Sequence, residues 1–422
     1  MRVIQRSSIW DSCIPAKSAS SEYLYTGLLS TSSFRSSLLK NAFLARSRRL
    51  NREDLNSRPT SLTCLVGVVP GEGTGPEVVD AARHVLEAVG LGCDLDLQVN
   101  VSGEIHGSSA PRNSAHLSEA IAEFCDDIFS SGGAIVAGAV GGRFVYEMRR
   151  RFQLHYKLNP LRSYQELGKV CRLKVPKQPV DILVVRENLE DFYQGDSVER
   201  FSDDVCEISH TFVHGEKRVR AVLEVAARAA RGRRSSLAVV GKESGLPVIH
   251  SLWRRCALEA GEVFGVDISL FDIDYAAYKM LQEPESFDVI VAPNCFGDIL
   301  SDLGGILAGS RGLTFGASFS PNGAAVYQTN HGAAHDLAQT DTANPVGQIF
   351  SVAMMLRETF RLPIEAQLIE DAVRSVWRAD WRTTDLREPG CRIAGTQEFA
   401  DLVAEEIDRT AVRDREACSA AG

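Results

Sequence analysis

Asp298 and Asp302 stand four residues apart in the run 293–302 (PNCFGDILSD), directly after an apolar, strand-like segment. If Asp298 opens a helix, Asp302 lies one turn on and both carboxylates share a face. Two like charges held that close repel, and a hard divalent cation with oxygen preference is the usual remedy. Taken alone, an Asp pair at this spacing is more often a cap plus a solvated side chain. Another strand end brings Asp274, in 272–277 (DIDYAA), as a third acidic candidate. Residues 70–77 (PGEGTGPE) follow the first apolar run, and their glycines let backbone amides approach a phosphate at a helix N-terminus. The spacing is GxGxGP and fails the GxGxxG fingerprint. By themselves the residues favour a tight turn, with Pro76 at the first helical position and Glu77 complementing the helix dipole.

These groups need elements to carry them. From Cys64 onward, β-branched apolar runs at 65–69, 134–137, 181–185, 237–240 and 288–292 alternate with helical periodicity, as at 76–89 and 218–231. Alternating strands and helices predict an α/β fold with a largely parallel sheet. The tail after about Arg409 reads as polar and frayed.

The chain has 422 residues, of which 44% are hydrophobic and 24% charged, enough for two domains with sizeable cores. A net charge of −9 and a pI near 5.6 give no broad attraction for nucleic acid or an anionic membrane, so acidic substrates must be gripped by local arginines. No apolar run reaches the roughly 18 residues of a membrane span. Ten cysteines with neither CxxC pairs nor Cys/His ligand spacing argue against a zinc site or a disulfide scaffold. Cys295 is read as a small buried hydrophobe, because no base is obvious beside it. Residues 1–62 are rich in Ser and Arg and poor in acids, which suits an organellar presequence or, equally, a disordered extension. The first places the protein in the mitochondrial matrix, the second in the cytoplasm.

The run from about Leu65 to Ile407 resembles the β-decarboxylating dehydrogenase family of isopropylmalate, isocitrate, homoisocitrate and tartrate dehydrogenases. The matching motifs occur in order: PGEGTGPEV at 70–78, GAVGG at 138–142, VREN at 185–188, the lysine of VVGK at Lys242, DYAAYKML at 274–281, NCFGDILSD at 294–302 and NHGAAHDLAQTDTANP at 330–345. The resemblance implies a two-domain isopropylmalate-dehydrogenase-like fold with an active-site cleft between the domains. One domain, for the cofactor, combines 63–154 with 310–412; the other, for dimerisation and the metal, spans 155–309; 413–422 form a tail. It also implies that Asp274, Asp298 and Asp302 ligate Mg²⁺ or Mn²⁺, and that Tyr193 and Lys242 carry the proton transfers. A lysine beside a metal is expected to have the depressed pKa that a base requires. Arg149 and Arg186 match two of the family's substrate arginines. The adenosine loop at His331 and Gly332, the Asn344 amide and Thr74 of the glycine turn fall on cofactor positions. Asp336 stands where NAD-dependent members bond both ribose hydroxyls, and a carboxylate there repels the 2′-phosphate of NADP. The implied assembly is a homodimer in which Lys242 and Asp274 reach into the partner's cleft.

The chemistry explains these residue types. Hydride loss from a 2-hydroxy acid needs a base for the hydroxyl proton and a cation that lowers the cost of the developing alkoxide, and loss of CO₂ then leaves an enolate to be protonated at C3. Two departures bear on the substrate and a third on the cofactor loop. Asn159 replaces the arginine normally found before Pro160, and losing a bidentate partner for a buried carboxylate ordinarily costs a few kcal/mol; Arg162 or Lys157 are the candidates to compensate. Isocitrate dehydrogenases have serine at position 143 and asparagine at position 145, so Arg143 and Val145 disfavour isocitrate. Val145 suits the isopropyl group of 3-isopropylmalate, whereas Arg143 suits a more acidic or polar substituent. The loop reads HGAAH where HGSAP is usual, so His335 also departs. The expected reaction is metal-dependent, NAD-linked oxidative decarboxylation of a 3-substituted malate, first 3-isopropylmalate and next a tartrate-type substrate. The rival is a non-catalytic or regulatory subunit, which Asn159 favours and the retention of Tyr193, Lys242 and the three aspartates opposes.

Overall fold

The computed structural model describes residues 63–103, 115–168, 170, 179–202 and 205–420. The presequence-like segment 1–62 lies outside the described residues. Among the described residues fourteen strands form: β1 (Cys64–Val69), β2 (Leu97–Val101), β3 (Ala134–Ala137), β4 (Tyr156–Arg162), β5 (Asp181–Glu187), β6 (Asp196–Ser202), β7 (Val205–Thr211), β8 (Ser236–Gly241), β9 (Asp267–Asp272), β10 (Val289–Ala292), β11 (Phe315–Phe319), β12 (Ala325–Thr329), β13 (Trp381–Arg382) and β14 (Arg392–Ile393). Ten of them build one sheet in the order β2-β1-β3-β12-β11-β4-β5-β10-β8-β9. Its flanks are parallel, as the alternating pattern predicts. Its centre is not: β12 with β11, β11 with β4, and β4 with β5 are antiparallel. A short turn at 320–324, closed by Ser320 N–H on Ala324 O, joins β11 to β12, and so tight a connection permits only antiparallel neighbours.

Helices cover both faces: α1 (Gly75–Cys93), α2 (Glu119–Ser130), α3 (Phe144–Arg151), α4 (Glu216–Arg231), α5 (Pro247–Phe264), α6 (Ile273–Gln282), α7 (Asn294–Ala308), α8 (Val346–Glu358), α9 (Pro363–Arg378) and α10 (Thr396–Ala420). The strands' period of two assigns each face its own core. Val136 joins the cluster shared with α1 and α8, while Ile135 and Ala137 pack with Ile128 and Phe144 of α2 and α3. Likewise Leu183 and Val185 face α4 and α5, while Ile182 and Val184 face α6 and α7. Such two-sided burial explains why these strands read as unbroken apolar runs.

The last helix departs from the expected frayed tail, since α10 runs on to Ala420. Phe399, Ala400, Val403, Ala404, Ile407 and Ala411 recur at helical spacing and are buried, an apolar stripe that holds the helix against its neighbours. Among the described residues β6 and β7 pair only with each other, and they are exposed on both faces.

Phe399 is fully buried. Phe399→Ala is expected to cost about 3–5 kcal/mol of stability, read as a lower midpoint in equilibrium urea unfolding; a change below about 1 kcal/mol would place α10 outside the cooperative core.

Candidate active site

The antiparallel centre gathers the charged candidates. Lys157 on β4 is the Cα partner of Arg186 on β5, so both side chains leave the same face, and that face lies under α7. Gly297 lets α7 approach: a Cβ there would come within 2.9 Å of the Arg186 side chain. The Arg186 guanidinium, 3% exposed, donates from Nε and Nη2 to Asn294 Oδ1 at 3.0 and 2.6 Å and from Nη1 to Asp298. Asp302, one turn further, takes Arg311 at 2.8 Å. The helix begins at Asn294 rather than at Asp298, because Pro293 ends the preceding extended backbone and its carbonyl accepts from Gly297 N–H. The carboxylate pair therefore lies in the second and third turns, still on one face.

Arg149, in the last turn of α3, is buried in the same region, with Nε and Nη1 lacking hydrogen-bond partners. Its pKa is lowered, first by burial and then by Arg186, although a guanidinium stays charged at neutral pH. Burial, then Arg149 and Arg186, drive Lys157 well below its ordinary range, against the pull of Asp298 and Asp302. For Asp298 burial acts upward, but Arg186, Lys157 and Arg149 outweigh it and hold the carboxyl below the usual range. Asn159 is fully buried on β4, and neither its Oδ1 nor its Nδ2 has a partner. Arg143 and Arg149 lie over the Tyr146 ring, at 5.0 and 5.5 Å from its centroid. Val145 packs against the α2–α3 core, and Arg143 is exposed.

Tyr193 sits in a single 3₁₀ turn, Phe192–Gln194, edge-on to Tyr146 at 5.7 Å. Burial and then Asp298 raise its phenol, and Cys295 also contacts the hydroxyl. Asp191, just before the turn, has φ +72°, a conformation costly for a residue with a side chain. Its carboxylate takes Cys295 N–H at 2.8 Å and faces His214 Nε2 at 3.4 Å, while Trp253 donates to His214 Nδ1. Asp191 thus ties the tyrosine turn to the start of α7. Burial raises the Cys295 thiol, in keeping with the inert reading of that residue.

Lys242 and Asp274 form a separate pair. Lys242 Nζ reaches Asp274 Oδ1 at 2.7 Å and Asp272 Oδ2 at 3.2 Å, and the Asp274 side chain is 69% exposed. The lysine's pKa is raised, first by Asp274 and then by Asp272, opposite to the expected depression, because within one chain it is the partner of two carboxylates. Among the described residues no three acidic, His or Cys side chains converge as a metal site, so Asp274 does not join Asp298 and Asp302 within the chain.

Beyond the C-terminal end of β1 the glycine turn meets the loop that carries several of the cofactor candidates. Gly73, at φ +58°, leaves no room for a side chain, since a Cβ would stand 2.0 Å from Ala333 O. Thr74 N–H donates to that carbonyl at 2.8 Å, which joins the glycine turn to the loop bearing His331 and Gly332. His331 Nδ1 lies 2.9 Å from Gly332 O, and burial lowers its pKa. Asn344, buried, donates to Asp385 at 3.0 Å and accepts from Val346 N–H. Asp336 is exposed in a turn closed by Leu337 N–H on Ala334 O, and a ring nitrogen of His335 is buried without a partner. The sequence reading missed Asn294, Asp191, Asp272 and Asp385, each of which orients a candidate; Asn294 and Asp191 stood inside quoted or adjacent motifs, but their roles need the contact between β5 and α7.

The sequence profile described as isocitrate/isopropylmalate dehydrogenase matches residues 65–403. A protein of Carboxydothermus hydrogenoformans named 3-isopropylmalate dehydrogenase is 36% identical over 81% of this chain and 94% of its own length. One of Geobacillus kaustophilus with the same name is 34% identical over 82% and 96%. The solved isocitrate dehydrogenase from Methylococcus capsulatus superposes with a TM-score of 0.72 at 28% identity, covering 82% of this chain and all of that one. Together with the two-sided sheet and its charged centre, these matches define a decarboxylating dehydrogenase. The chain belongs to the isocitrate/isopropylmalate dehydrogenase family.

Although burial opposes it, His214 and the backbone N–H of Cys295 hold Asp191 below its usual pKa. A carboxylate depressed on folding adds stability above its unfolded pKa of about 3.9 and loses it as the pH falls through the folded value. Asp191→Asn should therefore flatten the fall in unfolding free energy below about pH 4; an unchanged acid limb would remove Asp191 from that set of contacts.

Proposed function

We propose that the protein catalyses metal-dependent, NAD-linked oxidative decarboxylation of a 3-substituted malate, with 3-isopropylmalate first, giving a 2-keto acid, CO₂ and NADH. The observation that carries this reading is the convergence of Arg149, Arg186, Asp298 and Tyr193 beneath one helix: cationic anchors, a ligand carboxylate and a proton donor side by side. Relatives named 3-isopropylmalate dehydrogenase point to the same substrate, and the half-buried Val145 supplies an apolar wall for its alkyl group. The two domains are 63–154 with 310–412, and 155–309, joined across the antiparallel centre of the sheet.

Asp298 and Asp302 would hold Mg²⁺ or Mn²⁺ with Asp274 of a second subunit, since their oxygens are the donors such ions prefer. The ion's contribution is to lower the cost of negative charge on the substrate's oxygens. Arg149 and Arg186 bind carboxylate, Lys242 takes the hydroxyl proton, and Tyr193 returns a proton at C3. Thr74, His331, Gly332 and Asn344 surround the adenosine, and Asp336 selects NAD by its charge. The exposed Lys242–Asp274 pair, separated from Asp298, fits a homodimer with shared sites. So do the exposed apolar residues Val198, Phe201 and Ile208 on the β6–β7 arm, and the exposed Tyr275 and Tyr278 of α6. Among the described residues no helix is long and apolar enough to cross a membrane.

The test is NADH formation by protein lacking residues 1–62, with manganese, against 3-substituted malates, isocitrate and tartrate. Turnover of 3-isopropylmalate that EDTA abolishes is expected; silence across the panel with intact NAD binding would point instead to a regulatory subunit, the reading that the neutral Asn159 favours. Lys242→Met should lower kcat by about 10²-fold or more and leave NAD binding unchanged by calorimetry. Asp336→Lys should shift the ratio of kcat/KM for NAD over NADP at least about tenfold toward NADP, and an unmoved ratio would remove that assignment.

A further inference from the structure

Two cations near position 159 are available to take over from the missing guanidinium, and their surroundings separate them. Arg162 lies at the far end of β4, paired in register with Asp181 and facing Glu370 at 3.4 Å, so its charge is already answered. Lys157 is 3% exposed and has neither a hydrogen bond nor an ion pair among the described residues. It shares a strand face with Asn159, and both side chains fill the space left by Gly316, where a Cβ would come within 2.4 Å of Asn159 Oδ1 and 3.1 Å of Lys157 Cε. The lysine stem therefore leans along the strand toward position 159, over a gap that only glycine leaves open.

The charges nearby count the same way. Arg186, also a carboxylate anchor in the proposed reaction, already has Asp298 and Asn294 as partners within the chain. That leaves Arg149, with two unpartnered nitrogens, and Lys157 as the basic side chains of this site that have no ion pair among the described residues. Burial and the neighbouring guanidiniums disfavour the ammonium form of Lys157, and a ligand bearing two carboxylates is the partner that would answer Arg149 and favour the charged lysine. The unpartnered Asn159 amide, next to Lys157, adds a neutral donor to the same wall.

The geometry points to Lys157 as the residue that grips the second carboxylate of the substrate, with the Asn159 amide beside it, so that the cation of this subsite stands two residues earlier on β4 than the guanidinium it replaces. This rests on the reaction class proposed above, and substrate binding is measured apart from turnover to keep the two separable. We would titrate 3-isopropylmalate and malate into the full chain with manganese by calorimetry and measure steady-state KM and kcat. The variants are Lys157→Met, Lys157→Arg and the double variant Lys157→Met with Asn159→Arg. Lys157→Met should raise Kd and KM for the acid about 30-fold or more and leave KM for NAD unchanged. Lys157→Arg should keep Kd within about tenfold of wild type, and moving the cation to position 159 should regain about tenfold over Lys157→Met. A Kd for Lys157→Met within about threefold of wild type, or a double variant no better than the single one, overturns the assignment. Lysine-dependent binding of a dicarboxylate without turnover upholds Lys157 and sinks the proposed reaction. A wild-type chain that binds neither acid sinks both.

Discussion

Like charge confined under one helix is the constraint around which this molecule is arranged. Arg149, Lys157 and Arg186 come from three consecutive elements, α3, β4 and β5, and all act on Asp298 across a buried space. Cations so placed repel one another and lose their water, and that arrangement persists only where carboxylates, amides and backbone geometry offset it. Gly297 brings α7 close enough for Asp298 and Asn294 to serve Arg186, and Gly316 opens the space that the lysine stem needs. The antiparallel centre of the sheet follows the same demand. It sets Lys157 opposite Arg186 in register, with α3 delivering Arg149 immediately before β4 begins.

Much of this framework is legible in the sequence. The five apolar runs and two helical stretches read from the sequence all became strands and helices at nearly the expected bounds, because strands buried on both faces leave an unbroken β-branched signature. The antiparallel centre was not legible. β4 carries Lys157, Asn159 and Pro160 among its apolar residues and lacks that signature, and its direction is fixed by neighbours far along the chain. The frayed tail was misread for the opposite reason: the polar residues after Arg409 dominate the composition, while Ala411 and the residues before it keep the helix in contact with the core.

Within the site, residue types were legible and partners were not. The Asp pair, the lysine and the tyrosine were named from motifs, yet Asp191, Asn294 and Asp272 act through contacts between segments separated by up to about a hundred residues, which spacing cannot reveal. The pKa of Lys242 shows the difference most clearly. Resemblance to a metal enzyme suggests a depressed lysine, whereas the chain by itself gives that lysine two carboxylates and the opposite shift.

The cationic partner of Asp274 has counterparts at Asp298 and Asp302. Their spacing suggested a repulsion in need of a divalent cation, but each acid in the trio already has a cationic partner within the chain: Arg186 for Asp298, Arg311 for Asp302 and Lys242 for Asp274. The fold therefore does not depend on an ion to relieve the pair. Arg149 and Lys157, by contrast, have no ion pair among the described residues, and burial makes a positive charge at either costly. A bound carboxylate placed between Arg149 and Lys157 would relieve that cost, which is the electrostatic basis of the substrate subsite proposed for them.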